Sequence, residues 1–160
     1  MLALLILMLA VADDPGLQIS LPISGLTKAN IHDMFDQMRG THKHEATDIM
    51  SPRGTPVLAV NDGKIVKLFL SKPGGNTIYQ FDPAEQYCYY YAHLDRYADG
   101  IVEGKFVHRG DLIAYVGSTG DADPSAPHLH FEIHRLEPEK RWYKGTALNP
   151  YPYLINALRR

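Results

Sequence analysis

The sequence predicts a mainly β domain, a small antiparallel β-barrel or sandwich with one short helix near its N-terminus. Three observations carry this reading. The apolar runs have strand length, 13 Gly and 11 Pro punctuate them, and "HLHFEIH" (128 to 134) alternates polar and apolar side chains with period 2. A chain of 160 residues is one domain's worth, able to bury a core without disulfides or a structural metal.

Residues 1 to 12, "MLALLILMLAVA", are wholly apolar. Twelve residues are too few to span a bilayer. They match the apolar region of a secretory signal, and Ala10-Val11-Ala12 has the A-x-A cleavage pattern, which makes Asp13 the expected mature start. Because no Lys or Arg precedes the run, a short uncleaved anchor is the alternative. Residues 13 to 32 are expected to form an N-terminal extension and residues 33 to 160 the domain proper.

In "KANIHDMFDQM" (28 to 38), Ile31, Met34, Phe35 and Met38 stand at helical spacing before Gly40, predicting the short amphipathic helix. "TPVLAV" and "KIVKLFL" flank "NDG" (Asn61 to Gly63), a hairpin signal. "TIYQF" and "YCYYYAHL" flank "DPAEQ" in the same way, and "HRGD" predicts a turn before "LIAYV". At least six strands result, enough for a small barrel or sandwich.

The net charge is −2 and charged residues are scattered; no basic stripe marks a nucleic-acid binder. Cys88 is the only cysteine, which excludes an internal disulfide framework and leaves it as a small buried hydrophobe.

Eight histidines in a chain of this length would give about 0.4 H-x-H pairs from composition alone. There are two, His42/His44 and His128/His130. In the second pair, period 2 excludes the helical H-E-x-x-H zinc motif and puts both imidazoles on one strand face, roughly 6.6 Å apart. A solvated polar face is the plainer reading of that pattern. His44 and Asp48 precede the turn-rich "SPRGTPV". Together with one distant H-x-H histidine they would make a three-ligand zinc site with an open position, which implies catalysis rather than structure. A closed structural site would usually draw on several cysteines. His93 alternates in phase with Tyr87, Tyr89 and Tyr91; alone, such a histidine is more often a core residue.

Taken in order, "HEATD" (44 to 48), "GTPV" (54 to 57), "DGKIV" (62 to 66), "YAHL" (91 to 94), "GSTG" (117 to 120) and "PHLHFEI" (127 to 133) resemble the lysostaphin-type, LytM-like zinc peptidoglycan endopeptidases. The likeness runs from about residue 33 to 153 and includes "NPYPYL" (149 to 154). It implies a LytM-like, barrel-sandwich hybrid fold and one zinc ion per chain, held by His44, Asp48 and His130. It makes His93 and His128 the catalytic histidines and matches no role to His42, His32, His108 or His134; His42 is expected to be solvated or to stand behind the ligands, and the other three to lie at the surface. Tyr91, two residues from His93 on the same strand face, could meet substrate or oxyanion. Two departures are the alanine at position 46, where the family often has glycine, and a longer link between "GSTG" and H-x-H. The resemblance implies an enzyme that cuts peptide cross-links of peptidoglycan; with the leader, the expectation is an exported monomer, periplasmic or secreted. The scattered charge argues against a nucleic-acid partner and the short apolar run against a stable membrane span. The alternative is a non-hydrolytic LytM-like domain that binds cell wall or activates a separate amidase, although such regulators typically lose ligands that this chain retains.

Overall fold

The alternating segment forms the structural axis of the domain. In the computed structural model, which describes residues 14–160, strand β10 runs His128–Leu136. Leu129, Phe131 and Ile133 are fully buried, while His128, His130, Glu132 and His134 face the other way, partly open. Each apolar side chain removed from water contributes about 1.5–3 kcal/mol, so one face of the strand is committed to the core.

Ten further strands are described: β1 (Met38–Arg39), β2 (His42–Lys43), β3 (Thr47–Met50), β4 (Pro56–Leu58), β5 (Gly63–Ser71), β6 (Gly75–Phe81), β7 (Tyr87–Tyr97), β8 (Phe106–Val107), β9 (Leu112–Val116) and β11 (Gly145–Leu148). β1 and β2 make a small hairpin by themselves. The main sheet runs β11-β10-β7-β6-β5-β8, with β3 added on β10, and β9 joining β7 to β4. β7 is the hub, antiparallel to β6, β9 and β10. The mainly antiparallel β architecture is therefore as expected.

The "DPAEQ" hairpin forms as read, pairing Phe81 with Cys88. Asp82 holds the turn by accepting from the backbone N–H groups of Ala84, Gln86 and Tyr87. Cys88 is buried, as expected, and burial pushes its thiol pKa up. The "HRGD" turn also forms, with Asp111 N–H donating to His108 O at 2.9 Å.

Two expectations are corrected. Residues 28 to 38 hold no α-helix: a single 3₁₀ turn, Lys28–Asn30, ends at Ile31 in extended conformation. Thr27 and Asn30 satisfy each other's groups locally, and Asp33 Oδ1 accepts from Phe35 N–H. These short polar side chains draw the backbone into turns. Of the apparent helical stripe only Ile31 is buried, and Met38 is 59% exposed. The helix of this domain is instead C-terminal, α1 (Pro150–Ala157), started by Asn149, whose side chain accepts from Tyr151 N–H, and by Pro150 in the first turn.

The "NDG" segment is not a hairpin, because β4 pairs with β9 and β5 with β6 and β8. Asn61 accepts from Arg109 and from Asp62 N–H, and Gly63 passes so close to Phe81 that a Cβ would lie 1.9 Å from its carbonyl oxygen.

The leader-like run and Asp13 lie outside the described residues. The extension is packed: Leu17, Ile19 and Ile23 join the core, and Asp14 meets Tyr87, Arg135 and the Tyr153 hydroxyl. No helix among the described residues is long and apolar enough to cross a membrane.

Candidate active site

The register between β3 and β10 puts Asp48 directly opposite His130, within reach of a shared centre. His44 arrives from the β1–β2 hairpin. Its N–H donates to Gln37 O at 2.8 Å, and Glu45 turns the chain with a positive φ of 56°, so the imidazole points back over β3. His44 Nε2 lies 3.1 Å from Asp48 Oδ1 and 3.3 Å from His130 Nδ1, and His130 Nδ1 lies 3.1 Å from the same Oδ1.

These three edges fit a metal ion. Zinc bonds of about 2.0–2.1 Å in a tetrahedron place neighbouring ligand atoms about 3.3–3.4 Å apart. The donor set, two imidazoles and one carboxylate, is the right chemistry for zinc and leaves a fourth position. His44 Nδ1 is buried with no hydrogen-bond partner among the described residues. Of its two ring nitrogens only Nε2 therefore has polar partners.

Two side chains outside the ligand set organise it. Arg39 of β1 donates to Asp48 Oδ2 at 2.9 Å, which leaves Oδ1 as the single oxygen facing the cluster. Glu132 bridges His130 Nε2 at 2.7 Å and His134 Nε2 at 2.5 Å. A carboxylate on the remote nitrogen keeps the hydrogen there and leaves the Nδ1 lone pair for metal. Burial works against every charge here but does not prevail. Hydrogen bonds from His130 and His44 hold the Asp48 carboxyl well below the usual carboxylate range. Those from His130 and His134 bring Glu132 down to about 2. In the metal-free protein Asp48 and Glu132 raise His130 to about 9.

His93 and His128 stand beside this cluster, their rings 4.9 Å apart and the His93 ring 5.7 Å from that of His130. His93 Nδ1 donates to Thr119 O at 2.8 Å and His128 Nδ1 to Ala126 O at 2.9 Å. A carbonyl can only accept, so in both rings Nδ1 carries hydrogen and Nε2 is free for chemistry. His128 Nε2 is 3.7 Å from Asp48 Oδ1. Burial lowers the His93 pKa despite its bond to Thr119.

His93 does not share a face with Tyr87, Tyr89 and Tyr91 as strict alternation implies. It has a positive φ of 57°, and the β6–β7 register shifts beside it. This bulge turns His93 onto the cleft face. Gly74 O accepts its N–H at 2.8 Å. Gly75 makes the approach possible: its φ is 65°, and a Cβ there would lie 2.2 Å from Thr119 Oγ1.

Tyr91 stays on the core side, fully buried, its hydroxyl donating to Gln80 and accepting from Val60 N–H. It does not line the cleft; Tyr90 does. Of the remaining histidines, His32 is exposed and His108 has a side chain 74% exposed. His42 is a wall of the cleft and His134 is tied to the site through Glu132. The cleft encloses about 740 Å³. Glu132 and Tyr90 could have been found from the sequence by following the strand face that carries His130 across one neighbouring strand; Arg39 left no sequence signal.

Comparison with known proteins agrees with this geometry. The model of Peptidase family M23 matches residues 42–150. The L-Ala--D-Glu endopeptidase of Bacillus subtilis is 33% identical over 120 residues, 72% of this chain and 35% of that protein. Lysostaphin of Staphylococcus staphylolyticus is 36% identical over 115 residues, 71% of this chain and 22% of that protein. The solved catalytic domain of the antimicrobial peptidase lysostaphin from Staphylococcus simulans superposes with a TM-score of 0.61 at 34% identity, covering 71% of this chain and 80% of that one. The chain thus spans about a third or less of the length of these two curated relatives.

Proposed function

The chain belongs to peptidase family M23, and from that premise we propose that it is an exported zinc metalloendopeptidase hydrolysing peptide cross-links of bacterial peptidoglycan. The observation that carries the reading is the convergence of His44, Asp48 and His130 on one point, with ligand atoms within 4.8 Å of one another, at the floor of an open cleft.

Bound there, zinc would supply Lewis acidity to the scissile carbonyl and to water. The chain's own residues do the rest. The Nε2 lone pair of one catalytic imidazole, His93 or His128, takes a proton from the attacking water, and the resulting imidazolium can return it to the leaving amine nitrogen. The second imidazole, in the form that has taken a proton from solvent on Nε2 before the attack, donates it as a hydrogen bond to the tetrahedral oxyanion. Thr119 and Ala126 carbonyls stabilise either ring when it is charged. Glu132 and Arg39 hold the ligands in place, so little reorganisation accompanies the reaction.

Export rests on the apolar leader with its A-x-A site, and the substrate on the family. The retained ligands and both histidines support hydrolysis over the alternative of an amidase-activating domain. The test is metal analysis of the purified protein followed by digestion of purified sacculi with and without chelator. Zinc together with chelator-sensitive release of cross-link fragments is the expected result; zinc-free protein that stimulates a separate amidase would favour the alternative.

A further inference from the structure

The sheet face that carries His130 continues across the molecule as a row of aromatic rings. Glu132 pairs with Tyr90 on β7, and Tyr90 pairs with Tyr79 on β6, so these side chains share the face of the metal cluster. The Tyr90 and His130 centroids are 6.0 Å apart, Tyr90 and Tyr79 4.6 Å, and Tyr79 and Trp142 4.7 Å. Trp142 then meets Phe69 at 5.4 Å and Tyr143 at 5.1 Å. The row begins in the cleft wall at Tyr90 and ends outside it in open rings, Phe69 being 40% and Tyr143 59% exposed.

We propose that Phe69, Trp142 and Tyr143 form a saccharide-stacking platform that holds the glycan strand of the cell wall beside the cleft. This rests on the peptidoglycan reading, in which every peptide cross-link hangs from a glycan. A pyranose ring offers a C–H face to an aromatic ring and hydroxyl and acetamido groups around its rim. The platform offers the matching pair of properties. Its central ring is anchored, because Trp142 packs on the small cluster of Phe81, Cys88 and Leu136. Polar donors stand at its edge: the Arg141 guanidinium lies 6.0 Å from the Tyr143 ring centroid and donates to the Tyr143 hydroxyl at 2.7 Å.

Continuity with the cleft and size both favour this occupant. Three rings of at most about 150–250 Å² each, already partly covered, fall short of the roughly 800 Å² per partner of a stable protein interface. They are enough for one or two sugar rings, and large exposed apolar side chains gathered in one place are a mark of binding surfaces.

The test uses the full chain carrying Phe69→Ala and Tyr143→Ala, both outside the cleft and the catalytic set. Co-sedimentation is measured with peptide-free glycan strands, and hydrolysis is compared on whole sacculi and on a sugar-free cross-linked peptide. The unsubstituted protein should sediment with glycan, and the double variant should bind it roughly tenfold more weakly. The double variant should also lose roughly tenfold in rate on sacculi relative to its rate on the sugar-free peptide. Absence of glycan binding by the unsubstituted protein would overturn the proposal, and so would equal losses on both substrates. Concentration-dependent dimerisation abolished by the two substitutions would assign the surface to a second copy and also overturn it. Glycan binding is read without turnover, so failure of the endopeptidase reading would show separately, as inactivity on the sugar-free peptide.

Discussion

At the scale of single residues, the metal ligands were legible because each stands in an ordered motif, whereas the groups that orient them were legible only in part. His44, Asp48 and His130 are brought together as the resemblance implied. Glu132 follows from the face of β10 that carries His130, whereas Arg39 enters only when the path of the β1–β2 hairpin is known. Tyr91 looked accessible from alternation alone, and the bulge at His93 exchanged it for Tyr90. Two outcomes follow at this scale. Glu132→Gln should preserve the fold and weaken zinc binding about 10–100-fold, measured by competition with a chromophoric chelator. The second concerns pH. In the metal-free protein His130 keeps its proton to about 9, while the unfolded chain loses it near 6.5. Its stabilisation, of order 3 kcal/mol, is complete below about pH 6.5 and lost as pH rises through about 9. Thermal melts in chelator should show a midpoint falling across that window, and the decline should vanish in His130→Ala.

At the scale of elements, the strands with one committed face were readable and the irregular connections were not. β10 alternates from residue 128 to residue 134, so its register is dictated by burial. The segment 28 to 38 has helical spacing, but Thr27, Asn30 and Asp33 give the backbone local partners that helix would deny it. The real helix is disguised by two prolines in "PYPYL", which its first turn tolerates. The loops that place His93 depend on contacts distant in sequence: the β5–β6 turn lies against Thr119 and Gly120. Gly75→Ala should therefore cost about 1–3 kcal/mol in stability, seen by chemical denaturation. Because Thr119 is the partner of His93, it should also lower kcat by more than an equally destabilising core substitution such as Ile113→Val.

At the scale of the whole molecule, the core does not need the metal. Ile49, Ile65, Ile78, Tyr89, Leu94 and Phe131 are buried without reference to it, and of the ligands Asp48 and His130 sit on the paired strands β3 and β10. Stripping zinc should leave far-ultraviolet circular dichroism unchanged, and adding it back should raise the melting temperature in proportion to the logarithm of its concentration. The central claim is that three ligands on two segments of this β domain make a hydrolytic zinc centre. It is tested most directly by measuring zinc content and fragment release from purified sacculi for the unsubstituted chain and for His130→Ala, with mass spectrometry of the fragments. The account predicts one zinc per chain and peptide-bond cleavage in the first, and neither in the second; cleavage by zinc-free His130→Ala would contradict it.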